Sequence, residues 1–150
     1  MIQDPAILGY LGRALSFELT AVQQYLSLAR LLEMRGVSQA GEKFRREAED
    51  EMEHAERIIG RMLALGVAPN ASYLRPPRLD GDLLQLMQHA NDLETEIIGL
   101  YAQAVKYCSR IEDYENRIFF EKLLAEEQQH ADGLDNWRQQ IEDGEAGVMN

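Results

Sequence analysis

Two Glu-x-x-His quartets, Glu51 to His54 and Glu127 to His130, stand 76 residues apart in this 150-residue chain. The same offset separates Glu18 from Glu94 and Tyr25 from Tyr101. Residues three apart on a helix are surface neighbours, so each quartet can aim a carboxylate and an imidazole at one point. Carboxylate oxygen and imidazole nitrogen together suit iron, manganese or zinc. A quartet alone says little in a chain this rich in Glu. The weight comes from where these residues fall in the helices that must carry them.

Asp4 followed by Pro5 starts a first helix, a capping carboxylate before proline at the first helical position. Leu11, Leu15, Glu18, Val22, Tyr25, Ala29 and Leu32 then recur at alternating steps of four and three, the seam of a bundle helix, and Gly36 ends it. Ser38 is the expected cap of a second helix with seam residues Phe44, Ala48, Glu51, Ala55, Ile58, Met62 and Leu65. Asp80 is the expected cap of a third, carrying Leu83, Met87, Ala90, Glu94, Ile97, Tyr101 and Cys108. A fourth follows the break from Arg110 to Asp113, with Phe120, Leu123, Glu127, His130, Leu134, Trp137 and Ile141 in phase.

The first and third connections are short, which forces antiparallel hairpins. The middle one, Gly66 to Asp80, contains Pro69, Pro76 and Pro77 and could span ~50 Å if extended. A second helix of residues 39–65 is ~40 Å long at 1.5 Å per residue. The crossover can therefore run the length of the bundle and leave helices two and three parallel. The expected fold is all-α: an up-down four-helix bundle with one long crossover, the ferritin-like connectivity. A single domain covers residues 1–150, with the bundle at about 5–142 and a short tail at 143–150.

All four glutamates sit at seam positions, where a bundle wants Leu, as does His130; His54 lies about 60° around the helix from Glu51. Each buried carboxylate costs several kcal/mol. Four of them converging unpaired would exceed the roughly 5–15 kcal/mol that holds a domain together, and no Lys or Arg occupies the seam. Metal ions would satisfy them. The simplest geometry puts Glu18 and His54 on one ion, Glu94 and His130 on a second, and Glu51 and Glu127 between the two. Tyr25 and Tyr101, two turns along their helices, could orient the carboxylates or could be core tyrosines with satisfied hydroxyls.

At these residues the chain resembles the bacterioferritins: Glu18 with Tyr25, Asp50-Glu51-Met52-Glu53-His54-Ala55, Glu94, and Glu126-Glu127-Gln128-Gln129-His130 all match, over residues 4–142. The resemblance implies a ferroxidase with two iron ions per subunit. It would oxidise Fe²⁺ with dioxygen or hydrogen peroxide and hold ferric mineral inside a protein cage, with a redox partner protein conceivable. It also implies that Glu47 and Asp50 are candidate iron-uptake residues; read as residues, they equally fit a solvated acidic stretch.

Leu8, Leu19 and Leu26 on the first helix and Met52, Ile59 and Leu63 on the second form another apolar stripe, while the matching flank of the second hairpin carries Thr95, Lys106, Gln128 and Asp135. That asymmetry predicts a twofold homodimer through the first hairpin. By itself Met52 would fill such an interface. The resemblance gives it another role, as axial ligand of a haem shared across the twofold axis. Bacterioferritins also carry a short fifth helix near the fourfold axes of a 24-subunit shell. Here only Glu142 to Asn150 follow the seam, with Gly144 and Gly147 among them. The expected assembly is therefore a 12-subunit cage built from dimers, with 24 subunits as the alternative.

Composition removes other classes. Lys plus Arg is 15 and Asp plus Glu 26, a formal charge of −11, which excludes a nucleic-acid binder working through a basic surface. The longest stretch without charged residues, 62–74, is short and contains Pro69, so no membrane span is expected. No secretory signal is visible, and the expected location is cytoplasmic. Cys108 is the sole cysteine, which argues against the rubredoxin unit of a rubrerythrin-like di-iron peroxidase. A haem electron-transfer protein, the other rival, has no use for six ligands at the bundle centre.

Overall fold

A computed structural model describes residues 4–71 and 73–144. Four helices account for nearly all of them: α1 (Pro5–Met34), α2 (Ser38–Ala64), α3 (Leu83–Arg110) and α4 (Tyr114–Glu142). Among the described residues there is no strand. The start of α1 is the expected one: the Asp4 carboxylate accepts from the Ala6 N–H with Pro5 behind it. Asp113 caps α4 by accepting from the Asn116 N–H.

Two starts differ from expectation. Val37 occupies the cap position of α2 with no side-chain hydrogen bond, and Ser38 is already helical. The cap of α3 is Asp82 rather than Asp80, because Asp82 and Gln85 close a reciprocal capping box. Such a box satisfies two orphan N–H groups at once, which a lone carboxylate cannot do. The left-handed Gly81, at φ +105°, turns the chain into it, and the Asp80 carbonyl takes the His89 imidazole instead, at 3.0 Å.

The crossover from Leu65 to Asp82 runs alongside α1. The Tyr73 N–H points at the Ser16 hydroxyl and the Arg75 N–H at that of Thr20, both at 3.4 Å. The Gln24 side chain accepts from the Arg78 N–H at 2.7 Å and donates to the Arg78 carbonyl at 2.8 Å. The Arg35 guanidinium donates to the Gly81 carbonyl. Numbers rise together in both segments, so the crossover travels parallel to α1 and delivers the chain to the C-terminal end of that helix. There α3 begins and runs back, parallel to α2; its far end returns to the start of α1, where the Tyr107 hydroxyl donates to Asp4 at 2.6 Å. The topology is the all-α, ferritin-like up-down bundle with its long crossover between α2 and α3.

The seam residues are the core. Leu11, Leu15, Tyr25, Phe44, Ile58, Met87, Ile97, Tyr101, Phe120 and Leu123 are all buried, and in the middle of them lie Glu18, Glu51, Glu94 and Glu127, each 0% exposed. The second stripe is at the surface, with Leu26, Met52 and Leu63 exposed and Leu8, Leu19 and Ile59 half-buried. The tail expectation falls largely outside the described residues, which stop at Gly144. No helix among the described residues is long and apolar enough to cross a membrane.

Candidate metal centre

Each helix contributes its central carboxylate: Glu18 from α1, Glu51 from α2, Glu94 from α3 and Glu127 from α4, with His54 and His130 one turn beyond the last-named residues of α2 and α4. Two donor sets result. In one, atoms of Glu18, Glu51, His54 and Glu127 lie within 4.8 Å of one another; in the other, atoms of Glu51, Glu94, Glu127 and His130 do. Glu51 and Glu127 belong to both. The His54 Nδ1 is 2.8 Å from a Glu18 oxygen and 2.9 Å from a Glu127 oxygen. The His130 Nδ1 is 3.0 Å from Glu51 and 3.4 Å from Glu127. The two rings face each other, 16° from parallel with centroids 5.6 Å apart. All six residues singled out by spacing are thus in one cluster.

The protein alone does not satisfy this cluster. Both oxygens of Glu18 and of Glu51, one each of Glu94 and Glu127, and the His130 Nδ1 are buried without a hydrogen bond. Neutralisation falls to protons. Burial, reinforced by the neighbouring carboxylates, pushes Glu18 and Glu94 well above the usual carboxylate range. Burial likewise raises Glu51 to about 8, against the opposing pull of His130. Glu127 is also raised by burial, but Glu94, His130, His54 and Glu18 packed around it more than reverse this and hold it ionised. Burial disfavours charge on both imidazoles, yet the Glu127 carboxylate outweighs it, raising His54 and bringing His130 to about 11. A cluster that must retain protons against its own carboxylates is one that a divalent cation can occupy by displacing them.

The tyrosines pair across the bundle. The Tyr25 hydroxyl donates to Glu94 at 2.5 Å, not to Glu18 on its own helix. Antiparallel α1 and α3 put Tyr25 level with Glu94 and Tyr101 level with Glu18. Tyr101 is equally buried, and its hydroxyl has no hydrogen bond. Burial raises both phenols well above their ordinary value.

Outside the centre, Glu47 and Asp50 join His130 in a further group within 4.8 Å, with an Asp50 oxygen 3.4 Å from the ring's Nε2. They border an open cleft of about 330 Å³ that Gly133 and Trp137 also line. Beyond His54 the structure adds a role for Glu126, which the sequence showed only as part of a matching run, and adds Arg57: Glu126 approaches the His54 Nε2 at 3.5 Å, and Arg57 binds Glu126. The 76-residue offset that relates Asp50 to Glu126 was the signal for the acid.

Met52 points the other way. It is 42% exposed on the outer face of the first hairpin, in a cleft of about 250 Å³ lined also by Val22, Leu26, Arg45, Ala48 and Glu49.

Comparison with known proteins agrees with this geometry. Residues 8–143 match the ferritin family, described as a ferritin-like domain. Bacterioferritin of Rhodobacter capsulatus is 34% identical over 132 residues, spanning 88% of this chain and 82% of its own. That of Streptomyces coelicolor is 31% identical over 139 residues, spanning 93% of this chain and 83% of its own. A solved structure of the Rhodobacter capsulatus protein, described as having a metal-free dinuclear site and a haem iron in a crystallographic special position, superposes with a TM-score of 0.90. That pair is 32% identical, covering 95% of this chain and 89% of the other.

Proposed function

We infer that this chain, which belongs to the bacterioferritin family of ferritin-like proteins, works as a ferroxidase in iron storage and detoxification. The observation that carries the reading is the pair of donor sets sharing Glu51 and Glu127 at the centre of an otherwise apolar core. Paired iron supplies two electrons at once, so hydrogen peroxide is reduced by 2 Fe²⁺ + H₂O₂ + 2 H⁺ → 2 Fe³⁺ + 2 H₂O, and dioxygen is taken to the peroxide level.

The chain's own residues set the conditions for that exchange. Glu18 with His54 and Glu94 with His130 hold the two iron positions, and Glu51 and Glu127 lie between them. Four carboxylates favour the more highly charged ferric state. Tyr25, donating to Glu94, fixes that carboxylate's rotamer. Glu47 and Asp50, beside His130, attract Fe²⁺ towards the centre, helped by the charge of −11 on each subunit.

The finer features of the assembly belong to the same proposal. The protein forms an oligomeric cage in the cytoplasm, built from dimers that pair through the first hairpin. Met52 from each of two subunits ligates a haem between them. The proposed cage has twelve subunits, against an alternative of twenty-four.

Stopped-flow absorbance of ferric product tests the centre. Glu127→Ala, which removes a residue common to both donor sets, should abolish the fast phase of Fe²⁺ oxidation. Oxidation at the wild-type rate would refute the dinuclear assignment.

A further inference from the structure

The two halves of the metal centre repeat the same ligands and differ in what stands behind them. Asp50 lies beyond His130 and Glu126 beyond His54, and the two acids are 76 residues apart, as the two histidines are. Each carboxylate faces the Nε2 of its imidazole, at 3.4 Å and 3.5 Å. With both Nδ1 atoms turned to the centre, an acceptor at Nε2 is what fixes a metal-binding imidazole in the tautomer whose Nδ1 is free to ligate.

At the next position the equivalence ends. Arg57 places one guanidinium nitrogen 2.8 Å and 3.0 Å from the two Glu126 oxygens and 3.3 Å from Glu53. Its counterpart at the same offset is Gly133. Lys43 and Arg46 line the same cleft, but among the described residues no Lys or Arg comes within ion-pair distance of Asp50 or Glu47, whose close partner is His130. The histidines differ accordingly: the His54 side chain is 2% exposed and that of His130 15%, beside the open cleft.

We propose that Arg57 is a positioning residue that closes the His54 face of the metal centre, by clamping Glu126 against the imidazole, and so leaves the His130 face as the one through which metal exchanges. The inference rests on the dinuclear reading and adds to it that the two ion positions differ in exchange rate for a reason outside their ligands. Glu53, His54 and Glu126 also approach within 4.8 Å of one another. Arg57 supplies the cation that these acids would otherwise draw from solution, so no ion is captured on the way in or out along that face. All three contacts are charge-assisted and come from one nitrogen, so Lys keeps the charge but must bring its ammonium to the same point on a more flexible stem.

The test is release of Co²⁺, a redox-quiet probe with its own visible bands, from the assembled protein into excess EDTA. Wild type should bind two Co²⁺ per subunit in the buried centre and release them in two phases of equal amplitude. Arg57→Ala should speed the slow phase about tenfold, equivalent to about 1.4 kcal/mol, and Arg57→Lys should restore part of the difference. Gly133→Arg rebuilds the clamp beside Asp50, where nothing lies within 4 Å of an added Cβ, and should slow the fast phase about tenfold. Replacing an exposed helical Gly does not threaten folding. A single release phase in wild type, a slow phase indifferent to Arg57→Ala, or a fast phase indifferent to Gly133→Arg would overturn the proposal while two bound Co²⁺ kept the dinuclear reading intact. Fewer than two bound Co²⁺ would overturn both.

Discussion

Replacing Glu51 by Gln should leave the metal-free protein about as stable as wild type in mild acid and make it much more stable at pH 8. Burial raises the Glu51 carboxyl from its usual 4.5 to about 8. A group whose pKa is higher in the folded state stabilises the fold fully below its unfolded value, and that contribution disappears as pH climbs through the folded value. Glu51 therefore weakens wild type progressively between pH 4.5 and pH 8. At about 1.4 kcal/mol per pH unit the loss reaches roughly 4–5 kcal/mol. The amide is neutral throughout, so the variant escapes it. In a chain of this size each kcal/mol moves Tm by about 2–4 °C, which puts the variant roughly 8–20 °C above wild type at pH 8. Calorimetry of both proteins after exhaustive chelation, from pH 5 to pH 8, is the assay. Taking the difference cancels contacts between subunits, which do not involve this residue. Excess Co²⁺ should reverse the order at pH 8, since ligand binding to the native state favours the protein with the complete site. Parallel Tm curves for the two metal-free proteins across this range would refute the argument that Glu51 is held protonated by burial.

Three further expectations concern the surfaces and the packing. Met52→Leu conserves volume and apolarity, so reconstituted protein should lose the visible spectrum of low-spin bis-methionine haem while keeping its dimer; an unchanged spectrum would remove Met52 as ligand. Twelve chains of 17.1 kDa weigh about 205 kDa and twenty-four about 410 kDa, so light scattering after size exclusion should give the smaller mass, and the larger would refute the twelve-subunit cage. Gly41→Ala would set a Cβ 2.9 Å from the Ala29 carbonyl of α1, and should cost about 1–3 kcal/mol of stability in denaturant titration; an unaltered midpoint would mean that the hairpin opens without strain.

What could be read in the sequence is what periodicity controls. Leu11 to Leu32 and Phe120 to Trp137 define their helices by the face they bury, and a Glu in that phase must be buried whatever the details, so the six central residues follow from phase and offset alone. Helix starts depended on competition between nearby candidates. Ser38 and Asp80 are acceptable caps, but Asp82 has Gln85 three residues on and makes two hydrogen bonds where Asp80 would make one. The partner of the Tyr25 hydroxyl depended on the level at which α1 and α3 lie side by side, and the crossover sets that level through Gln24 and Arg78. Arg57 was out of reach for another reason. Its partner Glu126 is on α4, and pairing between polar flanks depends on how two helices are rotated about their axes, which an apolar stripe constrains only loosely.

The offset also shows where equivalence between the halves is enforced. Phe44 and Phe120 stand 76 residues apart, and each packs on the tyrosine of its own half, with centroids 6.0 Å apart for Tyr25 and Phe44 and 6.3 Å for Tyr101 and Phe120. Ligands, tyrosines and supporting phenylalanines thus repeat as one unit. Within that unit a change on one side reaches both metal positions, because Glu51 and Glu127 are common to the two donor sets. One turn further out the constraint ends: Glu47 is matched by Leu123 and Arg57 by Gly133. Arg57 reaches across to Glu126 and Glu47 towards His130, but neither contact has a counterpart at the matching offset, so each face carries its own charge and its own degree of closure. On the proposed reading, a centre that holds two like ions and admits them along one face needs both conditions at once, and the bundle meets them at different positions along its helices.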